Sequence, residues 1–207
     1  MTQQHLTIGA VRPEAALNRR SLVMRILEER TDTLIVSSLG APCWDLAACG
    51  DKDINFYVWG AMGSSCMVAL GIATAQRQRR IIALVGDGDM LMGLGSLATV
   101  AAAKPQNLAI MVLDNERYGD TGNQPTHTAA GVDLEAIGRA TGFAATMVMR
   151  TEDDIPEGKR LLFQVAGPVL VVAKVDSEKA PMVLPPRDGT YLKHRFRRAL
   201  LGTQAAM

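Results

Sequence analysis

Apolar and polar positions along this chain switch repeatedly between helical and strand-like spacing. Residues 14–30 set Leu17, Leu22, Met24, Ile26 and Leu27 among charged residues at helical intervals, and the apolar run TLIVSS at 33–38 follows as a strand. The alternation continues with a strand INFYVW at 54–59, a helix from about Ser64 to Gln78, and a strand at 81–85. A helix from about Met90 to Ala103 and the strand NLAIMVLDN at 107–115 come next. After a polar loop, DLEAIGRATG reads as a short helix capped by Asp133 and stopped by Gly142. FAATMVM, a helix near 152–165 and PVLVVAKV complete the series. Strands joined by helix-length connections pair in parallel through right-handed crossovers, with helices on both faces. The pattern predicts an α/β fold, a three-layer α/β/α sandwich with a mainly parallel sheet of about six strands.

From Ala180 the composition changes. APMVLPPRDGTYLKHRFRRALLG carries three prolines and then a basic cluster of Lys193, His194, Arg195, Arg197 and Arg198. Prolines end regular structure, so an extended crossing segment and a short basic surface helix are expected, dividing the chain into a domain at 1–180 and a tail at 181–207.

Composition narrows the function classes. The 207 residues are 48% hydrophobic, enough for a full core, and the formal net charge of +1 gives no reason to expect nucleic acid or an anionic membrane as partner. The opening MTQQHLTIGAVRPEAALNRR lacks the apolar core of a signal peptide, and no uninterrupted apolar run reaches membrane-spanning length. A cytoplasmic protein is expected. Cys43, Cys49 and Cys66 are odd in number and form no C-x-x-C pair, so they read as small buried thiols rather than as zinc or iron–sulfur ligands.

In sheets of this kind, ligands sit beyond the carboxyl ends of the strands. SSLGAPCW (37–44), WGAMGSS (59–65), VGDGDM (85–90) and LDNERYGDTGNQPTHT (113–128) are the candidate loops. VGDGDM resembles a dinucleotide-binding turn but has Asp87 at its centre and Leu91 where the third glycine would stand. A carboxylate there repels a bare pyrophosphate. A divalent cation between the two removes the conflict, because Mg²⁺ takes hard oxygen ligands from one or two protein groups and the rest from phosphates. Asn115 ends the next strand about twenty-six residues after Gly88, enough for a helix and a strand returning beside the first.

A GDG turn followed at that interval by asparagine resembles the thiamine-diphosphate motif. FYVWGAMGSSCMVALGIATA, GDGDMLMGLGSLATV, NLAIMVLDNERYGDTGNQPT and GPVLVV together are similar to the diphosphate-binding (PP) subunit of sulfopyruvate and phosphonopyruvate decarboxylases, over roughly residues 14–176. The resemblance implies thiamine diphosphate and Mg²⁺ as cofactors. It implies Asp87, Asn115 and the main-chain carbonyl of Arg117 as metal ligands, with the main chain of Gly88, Asp89 and Met90 along the diphosphate. Relatives often have serine or alanine at the position of Asp89, so only its main chain is carried over. Met62 corresponds to the apolar prop that bends the cofactor, and the Gly60 carbonyl to an acceptor for its aminopyrimidine. Gly40, Gly63, Ser64, Gly86, Tyr118, Gly119 and Thr121 complete the expected cofactor-binding set, and His127 and Gln124 join Met62 as expected catalytic residues.

The family's activating glutamate lies on a separate pyrimidine-binding (PYR) domain, for which this length leaves no room. The expectation is therefore one half of a split 2-oxo acid decarboxylase, paired with a PYR subunit, two or more copies of each, acting on a small 2-oxo acid. Alternatives from the same residues are a subunit of a carboligase or of a 2-oxo acid oxidoreductase, a Mg²⁺-dependent nucleotide-binding enzyme, and a non-catalytic regulatory subunit.

Overall fold

A computed structural model describes residues 17–202. The beginning of the helix expected at 14–30 and the end of the tail lie outside them. Helix α1 (Arg19–Leu27) is capped by the Asn18 side chain, which accepts from the Ser21 amide, and its apolar positions Leu22, Val23 and Ile26 are buried. Strand β1 (Leu34–Ser37), helix α2 (Ala41–Ala48), strand β2 (Asn55–Tyr57) and helix α3 (Ser65–Ala75) follow. Next come β3 (Ile81–Gly86), α4 (Asp87–Met92), α5 (Gly95–Ala103) and β4 (Leu108–Asp114). A small hairpin, β5 (Arg117–Tyr118) and β6 (Gln124–Pro125), leads through a 3₁₀ turn at His127–Ala130 to α6 (Leu134–Thr141). The chain ends in β7 (Ala145–Met149), α7 (Ile155–Gln164), β8 (Val169–Lys174) and α8 (Gly189–Leu201).

The main sheet has six strands in the order β2-β1-β3-β4-β8-β7, every neighbouring pair parallel. Its central strands are buried throughout because helices cover both faces. One face packs Ile35, Ile82, Leu84 and Met111 against α1, α2 and α7; the other packs Val36, Ala83, Val85 and Ile110 against α3, α5 and α6. The expected three-layer sandwich is therefore present. The chain leaves β1 for the edge strand β2 and returns on the other side of β1 as β3. That reversal opens a crevice at the carboxyl ends of β1 and β3.

Three local expectations change. The loop expected at 37–44 already contains the first turn of α2, where Pro42 suits a helix start because it has no N–H to lose. The single helix expected over 90–103 starts earlier, at Asp87, and breaks at Gly93. A Cβ on Gly93 would stand 2.1 Å from the Gly63 carbonyl oxygen, so the break is where two loops touch backbone to backbone. The polar loop after β4 folds into the β5–β6 hairpin, whose two-residue strands are too short for alternation to register in sequence.

The basic tail helix is docked rather than loose. α8 lies along the β2 edge, with Leu192 and Phe196 buried and the Phe196 ring centroid 5.2 Å from that of Phe56. Arg195 grips Asp51 through Nη1 at 2.5 Å and Nη2 at 3.1 Å. The edge strand is thereby covered.

Candidate active site

A cavity of about 400 Å³ opens at the carboxyl ends of β1, β3 and β4. Gly40 lines it from the β1–α2 turn, Trp44 from α2, Met62 from the loop after β2, and Gly88 with Asp89 from the start of α4. Asn115, Arg117 and Tyr118 close it from beyond β4, and Lys179 from the segment after β8. The loops singled out in the sequence thus meet at one place.

Asp87 begins α4 immediately after β3 and is 2% exposed. No cation pairs with it among the described residues. Its Oδ2 instead accepts from the Thr126 hydroxyl at 2.6 Å, with the Thr128 hydroxyl 3.4 Å away. The Thr126 and Thr128 hydroxyls are 2.9 Å apart, and Thr128 donates to Asp114 Oδ1 at 2.8 Å. Burial, with the nearby Asp114 charge second, raises the Asp87 carboxyl to about 7, although Thr126 and the local amides pull the other way. A carboxylate so placed is an acceptor awaiting a positive charge. Asp114 has its own cation, since Lys174 reaches it at 2.7 Å and Glu116 at 2.8 Å. Burial lowers the Lys174 pKa, but the hydrogen bonds and charges of these two acids outweigh it and leave the group raised.

Close backbone approaches shape the rest. The Tyr118 ring lies over Gly88, where a Cβ would come within 2.8 Å of it, so any larger residue here would have to displace the ring. Asp89 is buried and accepts from the Gly63 amide at 2.9 Å, which ties the loop presenting Met62 to the start of α4. Met62 is 37% exposed and its methyl stands 3.9 Å from the Cβ position of Gly88. Asn115 Oδ1 accepts from the Arg117 amide at 3.0 Å, closing a tight turn around Glu116, whose φ of 61° is left-handed.

Of the residues expected to hold a cofactor, Gly40, Met62, Gly88, Asp89, Asn115, Arg117, Tyr118, Gly119 and Thr121 line the cavity. Gly86 and Asp87 lie directly behind it at the end of β3, and Gly60, Gly63 and Ser64 flank Met62 without lining it. The Met90 side chain is in the core beside Cys66 and leaves only its main chain for a ligand. Gln124 and His127, expected to be catalytic, are exposed and do not line the cavity; Gln124 is bonded instead to Thr121 within the hairpin. The expectation missed Thr126, Thr128, Asp114 and Lys174. A signal existed: Asp114 and Lys174 are lone charges at the ends of two apolar runs, and the strand register pairs them directly.

Cys43 and Cys66 are buried and Cys49 is half-buried. Burial pushes their thiols up to about 12, 12 and 11 respectively, so none is a ready nucleophile.

The donor chemistry suits Mg²⁺ with a diphosphate. Asp87, Asn115 and a main-chain carbonyl at Arg117 supply hard oxygens only, and no group of three or more His, Cys, Asp or Glu side chains able to hold a metal occurs among the described residues. A phosphate-completed metal fits this set and an all-protein cage does not. The glycine turn at Gly88 provides the close backbone approach that a diphosphate needs.

Fold and site together thus define an α/β domain built to hold a metal diphosphate at the carboxyl edge of a parallel sheet. Residues 45–173 match the family described as thiamine pyrophosphate enzyme, C-terminal TPP binding domain. The chain belongs to the thiamine pyrophosphate enzyme family. It is 34% identical over 187 residues to the sulfopyruvate decarboxylase subunit beta of Methanococcus maripaludis, covering 89% of this chain and 98% of that one. It is 32% identical to the sulfopyruvate decarboxylase of Methanosarcina acetivorans, covering 94% of this chain but 50% of the relative. Phosphonopyruvate decarboxylase of Streptomyces viridochromogenes is 39% identical over 161 residues, 77% of this chain and 40% of that protein. Among solved structures, a thiamin diphosphate-dependent enzyme from Mycobacterium smegmatis superposes with a TM-score of 0.68 at 21% identity over 79% of this chain and 32% of that one. The 4-hydroxybenzoylformate decarboxylase of Rhodococcus jostii gives 0.66 at 19% identity over 87% and 36%. The last two establish the fold, and this chain spans about a third of each.

Proposed function

We propose that this chain is the diphosphate- and Mg²⁺-binding subunit of a split thiamine-diphosphate-dependent decarboxylase. Its substrate is a small anionic 2-oxo acid of the sulfopyruvate or phosphonopyruvate type, and its products are CO₂ and an aldehyde. The observation that carries this reading is Asp87, a buried carboxylate without a cation at the end of β3, beside the Asn115 turn at the end of β4.

Asp87, Asn115 and the Arg117 carbonyl hold the metal in this reading, and the main chain of Gly88, Asp89 and Met90 meets the diphosphate. Gly40, Tyr118, Gly119 and Thr121 wall the same pocket and Gly86 backs it, with Gly63 and Ser64 completing the turn that carries Met62. Met62 supports the cofactor by shape, and the Gly60 carbonyl receives its aminopyrimidine. Bound thiamine diphosphate supplies a nucleophilic carbon and an electron sink for the departing carboxylate. The protein's part is to orient that group, hold the metal and keep water out. Arg117 and Lys179 line the cavity and neither forms an ion pair among the described residues, which suits a substrate with a second anionic group. His127 and Gln124 enter the proposal as loop residues available to the partner's half of the pocket.

A separate PYR subunit carrying the activating glutamate completes the site, with two or more copies of each chain. No helix among the described residues is long and apolar enough to cross a membrane, and a cytoplasmic location is part of the same proposal. CO₂ release from sulfopyruvate and from phosphonopyruvate, followed as a PYR-domain subunit is added to the purified chain, tests the reading. The chain alone should be silent, and the rate should saturate near one partner per chain. Robust decarboxylation by the isolated chain would overturn it.

A further inference from the structure

Asp87 does not stand alone in its pocket: two threonine hydroxyls in contact with each other connect it to Asp114 and Lys174 beyond it. Thr126 donates to Asp87 at 2.6 Å, Thr128 stands 2.9 Å from Thr126 and donates to Asp114 at 2.8 Å, and Lys174 holds Asp114 at 2.7 Å. Thr126, Thr128, Asp87 and Asp114 are all buried. Asp114 and Lys174 occupy paired positions of β4 and β8, so these contacts are anchored on the central sheet.

The same residues also set the Asn115–Arg117 turn. Lys174 binds the Glu116 carboxylate at 2.8 Å, Asp114 Oδ1 accepts from the Glu116 amide at 3.1 Å, and the Thr126 amide donates to the Glu116 carbonyl at 3.0 Å. Glu116 lies between the two residues assigned to the metal, and its left-handed backbone forms the tight turn in which the Asn115 side chain accepts from the Arg117 amide.

We infer that Thr126, Thr128 and Lys174 are positioning residues that hold both halves of the metal-ligand set, the Asp87 carboxylate and the Asn115–Arg117 turn, in register before the metal arrives. This rests on the function proposed above. A threonine fits this position better than an aspartate or glutamine: its hydroxyl donates one hydrogen bond to a single carboxylate oxygen and leaves the other oxygen for the cation. Thr126 takes the N-cap position of the 3₁₀ turn at His127–Ala130 and Thr128 lies within its first turn, an arrangement that buries both hydroxyls while His127 stays exposed.

The test uses the full-length chain with saturating thiamine diphosphate and Mn²⁺ as the metal probe, its binding read from the loss of the free-ion paramagnetic resonance signal. Thr126→Val should weaken Mn²⁺ about tenfold or more, Thr128→Val by a smaller factor of about three, and Thr126→Ser should stay within about twofold of wild type because it restores the donor. Circular dichroism and melting curves on the same samples identify the folded variants, and Thr128→Val carries the test if Thr126→Val does not fold. A structural role alone would lower the melting temperature and leave Mn²⁺ affinity of the folded protein unchanged. Wild-type affinity in both valine variants, or failure of serine to restore it, overturns the inference while leaving the proposed function standing. Absence of Mn²⁺ binding in the wild-type chain instead overturns the reading of the site itself, and this inference with it.

Discussion

The two ends of the sheet handle polar groups in opposite ways. At the amino ends of the strands Arg80, Asn107 and Arg30 are matched to acceptors of the same chain. Arg80 donates to the carbonyls of Leu161, Leu162 and Val165 at 2.7–3.0 Å, and Asn107 to those of Ala73, Gln76 and Arg79 at 2.9–3.1 Å. Arg30 is shared between the Thr33 carbonyl and Asn55. Burial lowers the Arg80 guanidinium to about 10, still fully charged at neutral pH. At the carboxyl ends part of the matching is left open: Lys174 is paired with Asp114 and Glu116, but Asp87 has no cation, and Arg117 and Lys179 line the cavity without carboxylate partners among the described residues. One end closes the helices onto the sheet. The other keeps charge in reserve for a ligand, and the contrast teaches where to look for function in a fold whose layers are otherwise uniform.

The sharpest way to break the contrast is to remove the open end's central charge. Asp87→Ala should cut Mg²⁺-dependent affinity for thiamine diphosphate by about 100-fold while the metal-free melting temperature moves by no more than about 3 °C, because an uncompensated buried carboxylate adds little to stability. Calorimetric titration and melting curves read the two effects. The converse substitution lies at the closed end. Arg80→Met leaves several carbonyls without a donor and should cost roughly 2–4 kcal/mol of unfolding free energy in urea, with cofactor affinity unchanged. A fall in affinity without loss of stability would erase the distinction between the ends.

Met62 gives a smaller effect of a different kind. If it acts by shape under the cofactor's bend, Met62→Gly in the assembled enzyme should lower kcat about tenfold with cofactor affinity within about threefold of wild type, and Met62→Leu should keep most activity. Equal losses of binding and rate would make it ordinary packing.

The weakest signal is the pH dependence of the metal-free chain. Unfolded, Asp87 ionises near 3.8; folded, it keeps its proton to about 7 because it is buried beside Asp114. The folded state therefore holds the extra proton between these values, and this group's contribution to stability falls as pH rises from about 4 to about 7 and is level above that. Asp87→Asn should remove that part of the slope, as the difference between melting curves taken at several pH values.

The layered sheet was legible because central parallel strands are covered on both faces and so read as unbroken apolar runs, as in residues 81–85. Asp87 was legible because a carboxylate in a glycine turn conflicts with a bare phosphate. α2 was not, since APCWDLAA has no polar face to give a helical period. The break between α4 and α5 was hidden for another reason: what forbids a side chain at Gly93 is the backbone of Gly63, far away in sequence. Lys174 showed only as a lone charge ending an apolar run, its partner Asp114 being fixed by strand register, and Thr126 and Thr128 were invisible because their contacts with Asp87 and Asp114 are made from a loop distant in sequence from Asp87. The tail helix was expected at the surface, and its tie to the β2 edge depends on Asp51, a residue with no local mark of its partner.

The central claim is that the open end holds thiamine diphosphate through a metal. Melting of the full-length chain with thiamine diphosphate plus Mg²⁺, with thiamine diphosphate plus a chelator, and with ADP plus Mg²⁺ tests it directly, because a ligand stabilises the folded state in proportion to its concentration over its Kd. A rise of several degrees is expected in the first mixture alone. An equal or larger rise with ADP and Mg²⁺, or a rise with thiamine diphosphate that survives the chelator, would contradict it.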